Sequence, residues 1–451
     1  MTATASTAKA TDELLAHDRW SREQLLEYQH DRVRAAIAHA VSSSPYYRET
    51  LGPDALAGDV RLDELPPLTK QTLMEQFDRV AADPRLRVAA LEAHATGVDP
   101  GALFAGDFHV FSTSGTTGRR GIFPQSDGEF DDWMAAAWRV RQRHGLGEDT
   151  RVVGIGAPTP LHITQKLFMA FRGFGDGRPA LTVTTPLPEV VAELNHDRPE
   201  VIVTVPSVAG LLAEEQLEGR LSIELRGIML AGEVLTEDSG RRVSAAWGIE
   251  PIQVYASTEA LIMASDSPDG PGLEISEDLV VLEVVDGHDR PVPPGVPGYR
   301  VLITSLVGRA LPLIRYELSD SVTLADMQPT GRPYLRIERV DGRNDDLLRL
   351  PKLGGGEALV LPYRLRAPFL DLPDVVQYQV VLEPERLAVR IVLRPDASTE
   401  TVDRVRSGMK GALEAADAIT PPIVVETVPE IEREPGSMKV KVVKTVREAA
   451  A

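Results

Sequence analysis

The chain of 451 residues contains no cysteine, which excludes disulfides, thiolate nucleophiles and cysteine-ligated zinc. No apolar run approaches the length of a membrane span, and Met1 to Lys9 lack the apolar core of a signal peptide, so a cytoplasmic location is expected. Basic residues are in the minority, 48 Lys and Arg against 67 Asp and Glu, for a formal net charge of −19. That balance argues against nucleic acid as a partner, because phosphate backbones attract basic faces. The acidity reads first as solubility, and an anionic nucleotide would need a locally positive pocket. Hydrophobic residues at 43% and charged residues at 25% are ordinary for a globular chain, and its length calls for two or more domains. There is no internal repeat.

What is present has a clear order. Residues 1–12 are rich in Ala and Thr and read as a disordered lead. Val33, Ile37 and Val41 then mark a helix ending at Ser42–Pro45. From about 150 to 260, apolar runs at 151–156, 200–205, 226–230 and 251–255 alternate with amphipathic stretches at 207–217 and 237–247. Such alternation predicts a parallel sheet with covering helices, whose ligands gather at the carboxyl ends of the strands. Strand-like runs at 278–285 and 299–305 predict a β-rich part over about 272–341. Beyond a boundary at 341–346, strands at 375–382, 387–393 and 423–428 and a helix at 399–415 predict a small α+β domain.

The most informative stretch is Phe111-Ser112-Thr113-Ser114-Gly115-Thr116-Thr117-Gly118-Arg119-Arg120-Gly121. Glycines let backbone N–H groups converge and hydroxyls add donors, a combination suited to a polyphosphate. The Gly-Lys ending of the common triphosphate-binding loop is missing, so that motif does not apply. Further along come Tyr255-Ala256-Ser257-Thr258-Glu259, then Arg315-Tyr316-Glu317-Leu318-Ser319-Asp320. Gly342-Arg343-Asn344-Asp345-Asp346 and Arg433-Glu434-Pro435-Gly436-Ser437-Met438-Lys439 complete the series.

This ordered set resembles the adenylate-forming superfamily of acyl-CoA ligases, carrier-protein adenylation domains and luciferases. Within it the chain is most similar to the phenylacetate-CoA ligase branch, through Ala38–Arg48 and Pro312–Tyr316 as well. The likeness extends from about residue 20 to 446. It implies an α/β fold with a large N-terminal domain (13–341) of mostly parallel sheets, and a small mobile C-terminal domain (342–451) hinged near Asp345. It also implies ATP-dependent activation of a carboxylic acid to an acyl-adenylate with release of pyrophosphate, followed by transfer to coenzyme A. Carrier-protein thiols, amines and other small nucleophiles are alternative acceptors, and a nucleotide-binding relative without turnover is a further alternative.

Joining a carboxylate to an α-phosphate brings two anions together and adds charge at phosphorus. The chemistry needs donors, a divalent metal and a mobile cation. By resemblance Ser112, Thr113, Ser114, Gly115, Thr116, Thr117 and Gly118 hold the β- and γ-phosphates, Thr258 contacts the α-phosphate and Glu259 ligates Mg²⁺. Tyr255, with Ala256 and Ser257, stacks on adenine, whose other side is lined by Gly232 and Glu233. Asp320 takes the ribose hydroxyls, and Arg315 and Arg343 add positive charge. Lys439 is the candidate catalytic cation, although Met438 stands where glycine is usual and Lys441 and Lys444 lie close by. The branch points to an aromatic acid and a homodimer. For the acid itself His162 and Phe168 are candidates, and His162 equally reads as a loop cap.

Overall fold

The computed structural model describes residues 4–52, 61–99, 101–113, 121–166, 181–326, 331–343, 348–360, 364–365, 367–369, 372, 374–432 and 441–446. The phosphate-loop residues 114–120, Phe168, Asp345 and Lys439 lie outside them.

The first helix, α1 (Ala5–His17), replaces the expected disordered lead. The Thr4 side chain accepts from Thr7 N, and Thr7, Thr11 and Leu14 form a buried stripe at helical spacing. Thr7 also donates to Asp131 at 2.7 Å, so the small residues that looked featureless are those that let α1 lie against a neighbour. That neighbour is α2 (Asp127–Arg143), opened by a capping box in which Ser126 and Glu129 exchange hydrogen bonds.

Two strands, β1 (Phe108–Thr113) and β2 (Gly121–Ser126), pair antiparallel on either side of the glycine-rich stretch in the sequence. The parallel half of the main sheet contains β3 (Val152–Gly154), β4 (Val201–Thr204), β5 (Gly227–Ala231) and β6 (Ile252–Ser257). Helices α3 (Leu187–Asp197), α4 (Pro206–Leu217) and α5 (Glu237–Trp247) connect these strands. Their apolar faces and those of the strands share one core, with Leu194, Ile202, Leu212, Ile228 and Val243 at its centre.

The sheet continues in the antiparallel sense through β7 (Leu261–Ser267) and β8 (Gly270–Ile275). Next come β9 (Val280–Val285), β10 (Arg300–Ser305) and β11 (Tyr316–Leu318), which make a separate three-stranded sheet. Then β12 (Asp320–Leu324) and β13 (Arg336–Arg343) return to the main sheet, giving the order β12-β13-β8-β7-β6-β5-β4-β3. The main sheet is therefore mixed, and half of the expected β-rich part extends it. Its antiparallel end curls. Tyr255 on β6 touches Asp320 on β12, four places along that order, whereas flat strands would stand about 19 Å apart.

The remaining residues build their own core. A hairpin of β14 (Leu348–Pro351) and β15 (Glu357–Val360) precedes β16 (Val375–Leu382) and β17 (Leu387–Leu393). Helix α6 (Thr401–Glu414), β18 (Ile423–Thr427) and β19 (Val443–Thr445) complete an α+β unit. Val380, Val389, Ile391, Val405 and Met409 pack together within it. Arg242 on α5 joins it to the parallel half, pairing with Glu214 and donating to Val375 O at 3.2 Å. Among the described residues no helix is long and apolar enough to cross a membrane.

Candidate active site

Parallel strands end on the same edge, so the residues after β3, β5 and β6 face one crevice. After β5 the chain turns at Gly232, whose φ of +85° suits glycine. Glu233 follows, and its carboxylate accepts from Ser207 N at 2.9 Å and from Ser207 Oγ at 3.1 Å. It thereby fastens the start of α4 to the loop on the expected purine side. At the end of β6 a register shift between Tyr255 and Ala256 breaks the pairing with β7. Such irregularities re-aim side chains at the edge of a sheet. Ser257 Oγ accepts from Ala260 N at 3.1 Å and closes the tight turn carrying Thr258, which is buried, and Glu259.

The Tyr255 hydroxyl donates to Asp320 Oδ2 at 3.0 Å. This bond brings the second and third motifs onto one wall. Arg343 stands beside them, donating to Ser319 Oγ through Nε at 3.1 Å and Nη2 at 2.8 Å, with Nε 3.7 Å from Asp320 Oδ1. Burial pushes the Tyr255 phenol well above its ordinary pKa, and the Asp320 carboxylate adds to the rise. Tyr255 is therefore a neutral donor, and Asp320 keeps Oδ1 toward Arg343.

Lys70 escaped the sequence reading. It opens a short helix (Lys70–Glu75) after Leu68, which bonds to Arg315 O and Glu317 N as an extra strand beside β11. Its ammonium donates to Thr113 Oγ1 at 3.1 Å, at one foot of the phosphate loop. Gly121 N donates to the same oxygen at 3.2 Å from the other foot. A Cβ on Gly121 would lie 2.7 Å from the Phe123 ring and 2.9 Å from Thr113 Oγ1, so the pinch tolerates only glycine. Pro-Leu-Thr-Lys is too ordinary a string to reveal this role; only the pairing of Leu68 with β11 shows it.

Arg315 differs from expectation. Its side chain is buried on Glu283, with Nε 3.1 Å and Nη2 3.0 Å from the carboxylate, and it donates to Leu65 O as well. Its backbone is left-handed, φ +47°, held by Thr304 Oγ1 at 3.0 Å. Arg315 braces the wall behind Tyr316 and faces an acid of its own. His162 uses Nδ1 to hold Thr164 Oγ1 at 2.8 Å and Thr164 N at 3.3 Å, the loop-cap reading.

Glu259 sits beneath this wall, 3.5 Å from the Tyr316 hydroxyl. Burial raises its pKa above the usual carboxylate range, and its own backbone N–H, Lys70 and Arg343 offset that only in part. A small cavity beside it is also lined by Phe123, Gln125, Trp133, Ser305 and Leu313. Gln125 Oε1 lies buried without a partner. Glu259 and Gln125 thus bring a carboxylate and an unpartnered amide oxygen to one space, oxygen ligands of the kind a hard divalent cation or its bound water takes.

These features define an adenylate-forming enzyme. Residues 57–306 match the family model described as AMP-binding enzyme, more than half of the chain, and the protein belongs to that family. Within it the chain falls in the phenylacetate-CoA ligase-like branch of acid–thiol ligases. It is 28% identical over 388 residues to a phenylacetate-coenzyme A ligase of Thermus thermophilus, covering 81% of this chain and 79% of that one. It is 26% identical over 353 residues to the Escherichia coli phenylacetate-coenzyme A ligase, covering 73% of each. Its fold matches a solved 2-hydroxyisobutyryl-CoA ligase in complex with 2-HIB-AMP, at a TM-score of 0.71 and 20% identity over 93% of this chain and 89% of that chain.

Proposed function

We propose that the protein activates a carboxylic acid with ATP and passes the acyl group to coenzyme A, with an aromatic acid as the first class to test. The observation that carries this reading is the Tyr255–Asp320 bond, with Arg343 and Glu259 on the same wall. Asp320 Oδ1 is the acceptor for ribose hydroxyls, and Tyr255 both fixes that carboxylate and offers its ring to adenine. Ser112, Thr113 and residues 114–118 cradle the terminal phosphates, with Lys70 holding Thr113 in place. Thr258 faces the α-phosphate. Glu259 and Gln125 supply oxygen ligands for Mg²⁺, which when bound neutralises phosphate charge. The names of the phenylacetate-CoA ligases support the aromatic class and the thiol acceptor.

The unit after about residue 342 acts as the mobile lid, with Asp345 as hinge and Lys439 as the cation that meets the carboxylate and α-phosphate. Its separate core, with a hydrogen bond from Arg242 to Val375 O and an ion pair from Arg394 to Glu214 joining it to the large unit, suits a body that moves as a whole. A carrier-protein thiol or an amine is the competing acceptor, and one observation favours it. The β14–β15 hairpin that follows the hinge turns through Gly354, Gly355 and Gly356, all with positive φ, and leaves Leu353 exposed. ATP–pyrophosphate exchange across aryl and short-chain acids tests the activation step, and product analysis with and without coenzyme A tests the acceptor. Exchange stimulated by one acid and lost in Lys439→Ala is the expected result. ATP binding without exchange for any acid would overturn it.

A further inference from the structure

The β1–β2 pair carries a second group of polar residues that the proposed chemistry does not use. His109 on β1 lies with Nε2 3.0 Å from Asp127 Oδ1 and Nδ1 3.0 Å from Lys166 Nζ. An ammonium can only donate, so Nδ1 accepts and the ring proton is on Nε2, given to Asp127. Burial first, and then the Lys166 charge, pull the His109 pKa down to about 4, against the opposing pull of Asp127. The imidazole is neutral at physiological pH. Asp127 and Asp99 act on Lys166 only at a distance, less than burial does, and among the described residues Lys166 makes no carboxylate ion pair.

Lys166 is half-buried, and its Nζ stands 5.9 Å from the centre of the Phe111 ring. His109 is itself 4.3 Å from the Phe130 ring. One of three ammonium donors is spent on His109. The position of this cation matters. The segment carrying Lys166 leaves β3 at the carboxyl edge of the sheet, and Ser112 N donates to Leu161 O at 3.0 Å, tying it to the start of the phosphate loop. The carboxylate to be activated must lie near that loop and Thr258. The remainder of the acid then runs along the loops after β3, β5 and β6. Phe111, Trp133, Ile163, Met229 and Ile262 pack together behind them, with Ala231 and Ala256 at the strand ends. A half-buried ammonium bordering that apolar surface is costly unless it has an oxygen to meet.

Resting on the acid-activation reading, we propose that Lys166, oriented by His109 and Asp127, reads a second oxygen on the substrate. The substrate class is a carboxylic acid bearing a hydroxyl or second carboxylate remote from the one that is activated.

Matched pairs of acids test this in the pyrophosphate-exchange assay: phenylacetate against its para-hydroxy derivative, and hexanoate against adipate. Wild-type protein should favour the oxygen-bearing member of at least one pair by about tenfold or more in kcat/KM, the scale of one hydrogen bond to a charged group. In Lys166→Met that ratio should fall toward one. Asp127→Asn should lower it partway, through KM and with kcat retained, a split that a purely structural role would not give. A ratio near one in wild-type protein, or an equal ratio in wild type and Lys166→Met, would overturn the proposal. Thermal shifts with each acid and ATP give a second readout. If no acid supports exchange, the activation reading fails. A stabilisation by the oxygen-bearing acids that Lys166→Met loses would still uphold the site, and no stabilisation by any acid would sink it too.

Discussion

Asp278 and Glu259 are two carboxylates of the same large unit, one buried and one half-buried, and their acidities move in opposite directions. Asp278 is fully buried. Arg139 grips it with Nη1 at 2.5 Å and Nη2 at 3.1 Å, His17 Nδ1 stands at 3.0 Å and the Tyr334 hydroxyl at 3.3 Å. Burial alone would raise its pKa, but the Arg139 charge and the His17 bond overturn this and hold it well below the ordinary range. Glu259 has a hydroxyl at the limit of bonding and cations only at longer reach, so burial wins and the pKa rises. The difference separates charge that builds the fold from charge left under-compensated for a ligand.

Removing the charge from Asp278 should be the most damaging change. Asp278→Asn leaves Arg139 buried without a counter-ion, and a loss of about 3–5 kcal/mol is expected in denaturant unfolding. The same pair predicts the pH response. A depressed carboxylate contributes stability above its unfolded pKa, a contribution lost as pH falls through the folded value. Glu259→Gln should do the reverse. A raised carboxylate makes ionisation costly in the folded state, so the neutral amide should leave Tm unchanged or higher without metal, while exchange activity falls by about 10²–10³-fold. A lowered Tm would place Glu259 with Asp278 as a structural ion.

Tyr255→Phe probes the boundary between the two classes. It removes one donor from Asp320, and an increase of about 3–10-fold in KM for ATP is expected, with little change in kcat. The effect expected at His109 shows only on acidification. Its pKa of about 4 against the ordinary 6.5 means that the unfolded chain takes up a proton before the folded one does. Stability should therefore decline as pH falls from about 6.5 to 4, and His109→Asn should flatten that part of the Tm profile.

The parallel half was legible because its strands are short apolar runs between amphipathic helices. The expected strands at 200–205 and 226–230 appear at Val201–Thr204 and Gly227–Ala231. The helix at 237–247 appears with the same bounds. Motif order likewise pointed to Tyr255, Glu259, Asp320 and Arg343 before any geometry was available. Three features were not legible. Lys70 matters because of the distant pairing of Leu68 with Tyr316, and local pattern carries no trace of such a contact. Arg315 has a motif position but spends its charge on Glu283, a partner found only in three dimensions. The Ala/Thr composition of α1 hides a stripe of only three buried residues before His17, and its docking partner lies more than a hundred residues away.

The ion network around Asp278 also sets a timetable for synthesis. Its members come from Asp18 and His17 at the start, Arg139 and Asp278 in the middle, and Tyr334 well beyond. Arg139 precedes Tyr334 by 195 residues. At a ribosomal pace of roughly 5–20 residues per second, that interval is about 10–40 s. For most of it the guanidinium lacks its counter-ion, since Asp278 follows 139 residues after Arg139, and Tyr334 completes the set last. The large unit therefore closes late, after β12 has left the ribosome, and α1, made well before its partners, is among the last parts to be locked in place.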